Sequence, residues 1–504
     1  MATRFDPTPD FIDMLPPDHF LALPRPDVHN GPPEGAPDTS TLAAHDFDVD
    51  TRTGFMPPQP PLTRLPENWE AWEEILDDAI LRKLQLADKP DLTYAEKRRA
   101  SVWQARVRNL PILPTVELKK SEVLLRRAHH VLAWIMHYYA RTLPPTTSDI
   151  RIPPPITVPL LQVSSHLQLP PVLTYSDDVL YNWALKVPAP MTIVSPAPAL
   201  DNLKCLTLFT GTRDEEEFYL SSARIELRGV EALSLMRATM DEAFVGDSIA
   251  IKRITTYLHS LAKVIGDLTK LLLAVREGCD PQVFYNQIRP WFRGADSDPN
   301  RKWIFEGLEL DKELKEPTEL SGPSAGQSSL IHALDVFLGV DRYSHASHVT
   351  GHSPHRPTAS TSIPPKHPAA PVPNQTPAAP PSSVKPDTTK PSVSFLTRMQ
   401  SYMPRHHRAF LRHLSANPRP LRNIIESSSD EQLLEAYNAT VSALKVFRDA
   451  HVRIVAIYIV GPSRRGGRPI EETRGTGGTN AIRFVKSVRD QTAGAIMDPS
   501  TLSS

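Results

Sequence analysis

The chain of 504 residues has only two cysteines, Cys205 and Cys279. Two thiols cannot build a disulfide framework, and their scarcity suits a reducing compartment. No apolar run approaches the about 20 residues that a membrane span requires. The opening MATRFDPTPDFIDMLPP carries early acids and prolines where a signal peptide has its apolar core, and the closing Leu-Ser-Ser is not a peroxisomal address. Charge of either sign is not in excess: 56 Lys and Arg stand against 57 Asp and Glu. That balance argues against a general polyanion-binding surface, and the basic run Ser463-Arg464-Arg465-Gly466-Gly467-Arg468 reads as a solvated loop. The chain is therefore expected to be cytoplasmic, with neither nucleic acid nor membrane as a partner.

Proline is abundant: 52 residues, many of them clustered. Residues 1–64 are rich in Pro and Asp and cannot bury enough apolar surface to offset ordering entropy. Residues 345–391 are dense in Pro, Ser, Thr and Ala and read as an insertion without a core of its own. Its histidines have no companion Cys or acid cluster that would fix a metal geometry. Between these segments the pattern is helical. NWEAWEEILDDAILRKLQL and SEVLLRRAHHVLAWIMHYYA place two helices in a smaller unit over 65–204. His129 and His130 are neighbours in the second and face different directions, so they are not a chelating pair. EEEFYLSSARIELRGVEALSLMRATMDEAF and IKRITTYLHSLAKVIGDLTKLLLAVREG read as helices of a larger unit over 205–344, which resumes at 392–497 before a polar tail at 498–504. The fold class expected is mainly α, in two domains.

The longest uninterrupted amphipathic pattern runs from Asp430 to Gly461. Leu433, Tyr437, Val441, Leu444, Phe447, Ile454 and Tyr458 recur at helical spacing, and Gly461-Pro462 marks the expected stop. His451 sits in register with this apolar face, between Phe447 and Val455, and Arg448 lies one turn earlier. A lone histidine on an apolar face is ordinarily a hydrogen-bonded core residue. The same geometry lets a neutral imidazole bind a metal or a haem iron. No Cys-x-x-Cys-His is present, so a haem would be held non-covalently.

Further motifs stand around this helix. Gly475-Thr476-Gly477-Gly478-Thr479 follows it and leads into AIRFVKSVRDQ. Ser324-Ala325-Gly326-Gln327-Ser328-Ser329 precedes it and leads into LIHALDVFLGV, with SYMPRHHRAFLRHLSANP next. The ordered set resembles the indoleamine 2,3-dioxygenase family from about Leu65 to Met497, in a fungal type with a Pro-rich insertion. The resemblance implies that family's fold, a small helical N-terminal domain on a larger all-α haem domain. It also implies a heme b cofactor, ferrous in the active form. The implied reaction inserts both atoms of O2 across the indole C2–C3 bond of L-tryptophan to give N-formyl-L-kynurenine, within tryptophan catabolism towards NAD. The partners implied are L-tryptophan or another indoleamine, O2 and an unidentified electron donor, with the chain a monomer. His19-Phe20-Leu21-Ala22-Leu23-Pro24 resembles a segment that the family docks on its body.

The resemblance also assigns roles. His451 matches the proximal ligand of the haem iron, and Arg448 is placed to meet a propionate with a bidentate guanidinium. Asp335, an acid within an apolar helix, is costly unless paired, and is expected to hydrogen-bond near the haem. Phe218 lines the indole pocket, Tyr175 stands near the haem edge in a segment that resembles the family's entry into the pocket, and Ser222 sets a hydroxyl on the distal face. That face needs no strong base, because indole carbon 3 is itself electron-rich and the protein mainly positions the reactants. Phe284 packs on the indole, Arg289 pairs with the amino-acid carboxylate, and Tyr285 is expected on the same wall. Five residues apart on a regular α-helix, Phe284 and Arg289 would not share a face. Pro290 disfavours α geometry at Arg289, so the helix is expected to end there and free Arg289 to turn inward. Ser324 and Ala325 contact substrate and a propionate, while Thr476 and Gly477 belong to a glycine-rich lid over the amino-acid end.

Two positions depart from the family pattern: Pro323 where a Gly is usual, and Asp178 where a small or apolar residue is usual. Both bear on tryptophan affinity rather than on the haem site. The alternative reading is a non-catalytic O2-binding haem protein on the same scaffold. Phe284, Arg289 and Thr476, which together form a carboxylate clamp that a carrier does not need, favour the enzyme.

Overall fold

The computed structural model describes residues 47–187, 198–297, 301–341, 395–466, 475 and 481–498. The segment around His19, the insertion at 345–391 and the lid residues Thr476 and Gly477 lie outside them.

The fold is mainly helical. In the N-terminal part, α1 (Glu70–Leu81), α2 (Tyr94–Arg108), α3 (Glu122–Thr142) and α4 (Pro154–Leu167) pack together. α3 is buried along almost its whole length. Its two histidines diverge as expected: His129 Nδ1 lies 2.8 Å from Asp177 and His130 Nε2 2.8 Å from the Thr207 hydroxyl. The larger part contains α5 (Arg213–Arg228), α6 (Val230–Val245), the long α7 (Ser248–Gly278) and α8 (Ser329–Phe337). It continues through α9 (Phe395–Gln400), α10 (Arg405–Ser415), α11 (Leu421–Ser427), α12 (Glu431–Val455), α13 (Gly461–Arg465) and α14 (Ala481–Gly494). α12 packs lengthwise on α7, and α14 lies against α12.

α12 forms where the pattern places it. The Asp430 carboxylate accepts from the Leu433 amide at 2.9 Å and caps the first turn. Leu433, Tyr437, Val441 and Leu444 are completely buried against α7 and its neighbours. Each such side chain contributes about 1.5–3 kcal/mol when fully buried.

Three local expectations change. The single helix expected over EEEFYLSSARIELRGVEALSLMRATMDEAF is two, divided at Gly229. A Cβ there would stand 2.2 Å from Leu330 Cδ2, so the start of α8 presses directly on the Gly229 backbone. Gly461-Pro462 is no stop: α12 widens into a π turn over Ala456–Val460 and continues as α13, with Pro462 in its first turn. A proline is tolerated there because a first turn has no internal partner for its amide. Two small sheets, which periodicity did not reveal, also occur. β1 (Asp149–Ile152) pairs in parallel with β4 (Lys302–Phe305), and β2 (Trp183–Leu185) pairs antiparallel with β3 (Leu203–Cys205). Among the described residues no helix is long and apolar enough to cross a membrane.

Candidate functional site

A cavity with about 1200 Å³ of empty space, counted to its mouth, opens beside α12. It is continuous with a second lobe of about 800 Å³, and His451, Ser222, Tyr175 and Ala325 border both. α5 supplies Phe218 and Ser222, α12 supplies His451 and Val455, and α14 supplies Phe484 and Val485. The loop before α8 supplies Pro323, Ser324, Ala325 and Gly326, and Gly475 lies at the cavity edge.

Three π turns shape this space. They close with amide-to-carbonyl bonds five residues back: Tyr181 to Ser176 at 2.9 Å, Arg289 to Phe284 at 2.8 Å, and Gly461 to Ala456. Each places side chains on the cavity: Asp178 and Val179, then Phe284 and Arg289, then Tyr458 and Ile459. The second corrects the expectation at Arg289. Its backbone stays helical, with φ −52° and ψ −36°, despite Pro290. The wider turn, not a helix end, brings residues five apart onto one face. It also turns Tyr285 away: this residue does not border the cavity, and its ring lies 5.6 Å from the Arg289 guanidinium carbon.

The ring pocket is aromatic. Phe218 and Phe284 have centroids 4.4 Å apart, and Phe292 lies parallel to Phe218 at 6.0 Å. The Ser222 hydroxyl makes no hydrogen bond within the described residues. Ser324 caps the turn before α8, its hydroxyl accepting from the Gly326 amide at 3.2 Å. Behind this wall Gln327 donates to the Gly322 carbonyl at 3.0 Å and accepts from the Tyr175 amide at 2.8 Å. Gly322 must be glycine, because a Cβ would meet the Phe292 carbonyl oxygen at 2.1 Å. Tyr175 donates from its hydroxyl to Glu226 at 2.9 Å, and Ser328 donates to the same carboxyl at 2.6 Å. Burial lifts the Glu226 carboxyl to about 7.

His451 makes no hydrogen bond among the described residues. Burial and the nearby Arg448 charge depress its imidazole to about 4, so the ring is neutral at pH 7. A neutral ring with a free nitrogen facing a cavity is the form that ligates a metal. His451 also stands alone: among the described residues no three His, Cys, Asp or Glu side chains group as a bare-ion site. It therefore offers one ligand, which is what a macrocycle that already holds an iron by four nitrogens asks of a protein.

Arg448 differs from expectation. Its Nη2 lies 2.5 and 2.6 Å from the two Asp335 oxygens, and its Nη1 donates to the Thr492 hydroxyl and to the Val488 carbonyl. With both terminal nitrogens committed, a bidentate grip on a propionate is not available. Asp335 is buried and hydrogen-bonded, the condition that makes an acid tolerable in α8.

Several cavity residues had no individual sequence signal. Phe292 follows Pro290 in a stretch without clear period, and Phe484 and Val485 read only as part of an amphipathic stripe.

A helical body, a neutral histidine without a hydrogen bond among the described residues and a buried arginine meet on one largely apolar cavity. The chain belongs to the indoleamine 2,3-dioxygenase family, whose family model matches residues 43–495. It is similar to the indoleamine 2,3-dioxygenase of Saccharomyces cerevisiae, 31% identical over 470 residues that span 87% of this chain and 90% of the relative. It is also similar to indoleamine 2,3-dioxygenase 1 of Rattus norvegicus, at 30% identity with 90% and 95% of the two chains covered. The indoleamine 2,3-dioxygenase acdA of Aspergillus candidus is 29% identical over 90% of this chain and 98% of its own.

Proposed function

We propose that this chain is a haem-dependent dioxygenase that converts L-tryptophan and O2 to N-formyl-L-kynurenine, in tryptophan catabolism towards NAD. The observation that carries the reading is the meeting of neutral His451 and buried Arg289 on one cavity, in a chain of this family. We read 65–204 as the small domain, and 205–344 with 392–497 as the haem domain.

The residues fit a haem. His451 would take the iron, Val455, Phe484 and Val485 would pack on the macrocycle, and the polar edge at Ser324 would face a propionate. Arg448, charge-balanced by Asp335, acts chiefly as a positioning residue that locks α12 to α8 and α14 one turn before His451. When bound, the haem in its ferrous form supplies the activation of dioxygen. The protein's own part is placement. Arg289 pairs with the substrate carboxylate, since a guanidinium meets a carboxylate with two parallel hydrogen bonds. Phe218 and Phe284 hold the indole, and their apolar faces exclude water from it. Ser222 offers a hydroxyl that makes no hydrogen bond among the described residues and borders the same cavity. Thr476 and Gly477, which the family resemblance assigns to the amino-acid end, lie outside the described residues. Both oxygen atoms end in the product as the C2–C3 bond opens, so the reaction needs no net reductant. An external electron donor serves only to keep the iron ferrous. The free thiols Cys205 and Cys279 suit a reducing compartment such as the cytoplasm.

The test is to load the chain with haem, reduce it, record the ferrous–CO spectrum, then supply L-tryptophan and air and assay N-formylkynurenine. Product that depends on L-tryptophan supports the reading. Stable haem binding without product from any indole amino acid would refute it in favour of an O2-binding haem protein.

A further inference from the structure

Among the described residues one acid borders the cavity that Phe218 and Phe284 line. Asp178 lies in the π turn Ser176–Leu180, borders the cavity beside Val179 and Phe218, and is 4% exposed. Its Oδ1 is enclosed and has no hydrogen-bond partner among the described residues. Behind it the Tyr219 hydroxyl, 1% exposed, lies against Glu215 without a hydrogen bond of normal geometry. An enclosed polar atom without a partner is rare and calls for a group that completes it.

The chemistry of a carboxyl narrows what that group can be. Burial, then the charges of Asp177 and Glu215, push the Asp178 carboxyl well above the usual range. A carboxyl accepts a hydrogen bond in either state and also donates when protonated, so a hydroxyl, which does both, satisfies it either way. Its position narrows the choice further. Val179 and Phe218, its neighbours on the wall, have the shape and polarity to pack on a flat ring, whereas the ionic end of the ligand belongs to Arg289.

We propose that Asp178 is a specificity-determining residue that hydrogen-bonds a hydroxyl on the benzo ring of the substrate, so that the chain prefers a ring-hydroxylated indole amino acid to L-tryptophan. The proposal rests on the dioxygenase reading and names its substrate class. A hydroxyl at the ring edge satisfies the carboxyl, whereas unsubstituted tryptophan leaves it unpaired. A site built to hydrogen-bond a substrate hydroxyl rejects the analogue that lacks it far more strongly than a hydrophobic pocket rejects a size difference.

The experiment uses the full, haem-loaded, reduced chain and the 4-, 5-, 6- and 7-hydroxy isomers of L-tryptophan beside L-tryptophan itself. We expect at least one isomer to exceed L-tryptophan in kcat/KM by about 10- to 100-fold. Calorimetric titration of the same ligands gives Kd values, which read the preference without turnover. Asp178→Ala should collapse that ratio by about 10-fold or more, mainly through loss on the hydroxylated isomer. Asp178→Asn, which can still donate and accept, should keep most of the ratio. The ferrous–CO spectrum and circular dichroism of both variants establish that they are folded and loaded. Two outcomes overturn the proposal: L-tryptophan being bound and turned over best, or Asp178→Ala weakening all ligands equally, which would put Asp178 at the shared amino-acid end. Absence of turnover with every ligand, with haem loaded, instead sinks the dioxygenase reading; the Kd ratio still decides the role of Asp178.

Discussion

Replacing Arg448 with Met strands the Asp335 carboxylate inside the protein. Arg448 Nη2 reaches both oxygens of Asp335, at 2.5 and 2.6 Å, and the two side chains are 6% and 8% exposed. Solvent screening that makes surface ion pairs nearly worthless is therefore absent. Removing one partner of a buried pair typically costs about 3–5 kcal/mol, because the other charge stays buried and unpaired. Arg448→Met also loses the bonds to Thr492 and Val488 that tie α12 to α14. Asp335→Leu alone strands the guanidinium and should cost a similar amount. The double variant removes both charges. Replacing a whole buried pair with apolar side chains is often neutral or stabilising. With each single at about 3–5 kcal/mol and the double near zero, the cycle should show a coupling energy of about 6 kcal/mol or more, above the usual range for residues in contact. The assay is urea unfolding of haem-free wild type, both single variants and the double variant, so that ligand binding does not enter the stability. Additive single effects, or singles within about 1 kcal/mol of wild type, would refute the argument that this pair locks α12 in place; such sizes are those of exposed pairs.

His451→Ala should abolish stable haem incorporation while circular dichroism stays that of the wild type, since the ring gives up no hydrogen bond among the described residues; an unchanged Soret band at full haem content would overturn the assignment. Arg289→Ala should keep the ferrous–CO spectrum and lower kcat/KM for the substrate by about 2–5 kcal/mol in transition-state binding; an unchanged kcat/KM would place the carboxylate elsewhere. Glu226→Gln tests the buried acid behind Tyr175. Its carboxyl is raised from 4.5 to about 7, so the folded state keeps a proton that the unfolded chain releases, and stability falls as pH rises from about 4.5 to 7. At 1.36 kcal/mol per pH unit the loss is about 3 kcal/mol, and Gln cannot ionise. The melting temperature of Glu226→Gln should therefore gain on wild type between pH 5 and pH 8, and a constant difference would show that Glu226 ionises normally.

Much of this architecture was legible in the sequence because it depends on local rules. α12 follows from an apolar stripe at helical spacing, an acid placed to cap it, and no interior proline. His451 could be singled out because it breaks that stripe with a ligand atom while keeping its register. What stayed hidden depends on distant partners. Gly229 divides two helices because Leu330, far along the chain, presses on its backbone. β1 pairs with residues 302–305, and its Asp-Ile-Arg-Ile alternation is too short to announce a strand without that distant partner. Arg448 looked free for a ligand because nothing local announces that Asp335 reaches it from another helix.

The π turns are the least legible feature and the one on which the site most depends. An α turn and a π turn differ by small changes in dihedral angle, and the choice is decided by packing around them. Phe284 and Arg289 illustrate the consequence. Judged by α-helical spacing they face apart, and only an external device, such as the helix end expected before Pro290, would reconcile them. The amide of Arg289 bonded to the Phe284 carbonyl at 2.8 Å makes that device unnecessary. The same widening lets Pro462 sit in a continuing helix beyond His451, and a π turn also carries Asp178 and Val179 on the cavity border. The third widens a long helix, whereas the first two are short helical turns in their own right. All three converge side chains on one cavity, and such convergent placement is the condition for holding a small ligand in one orientation.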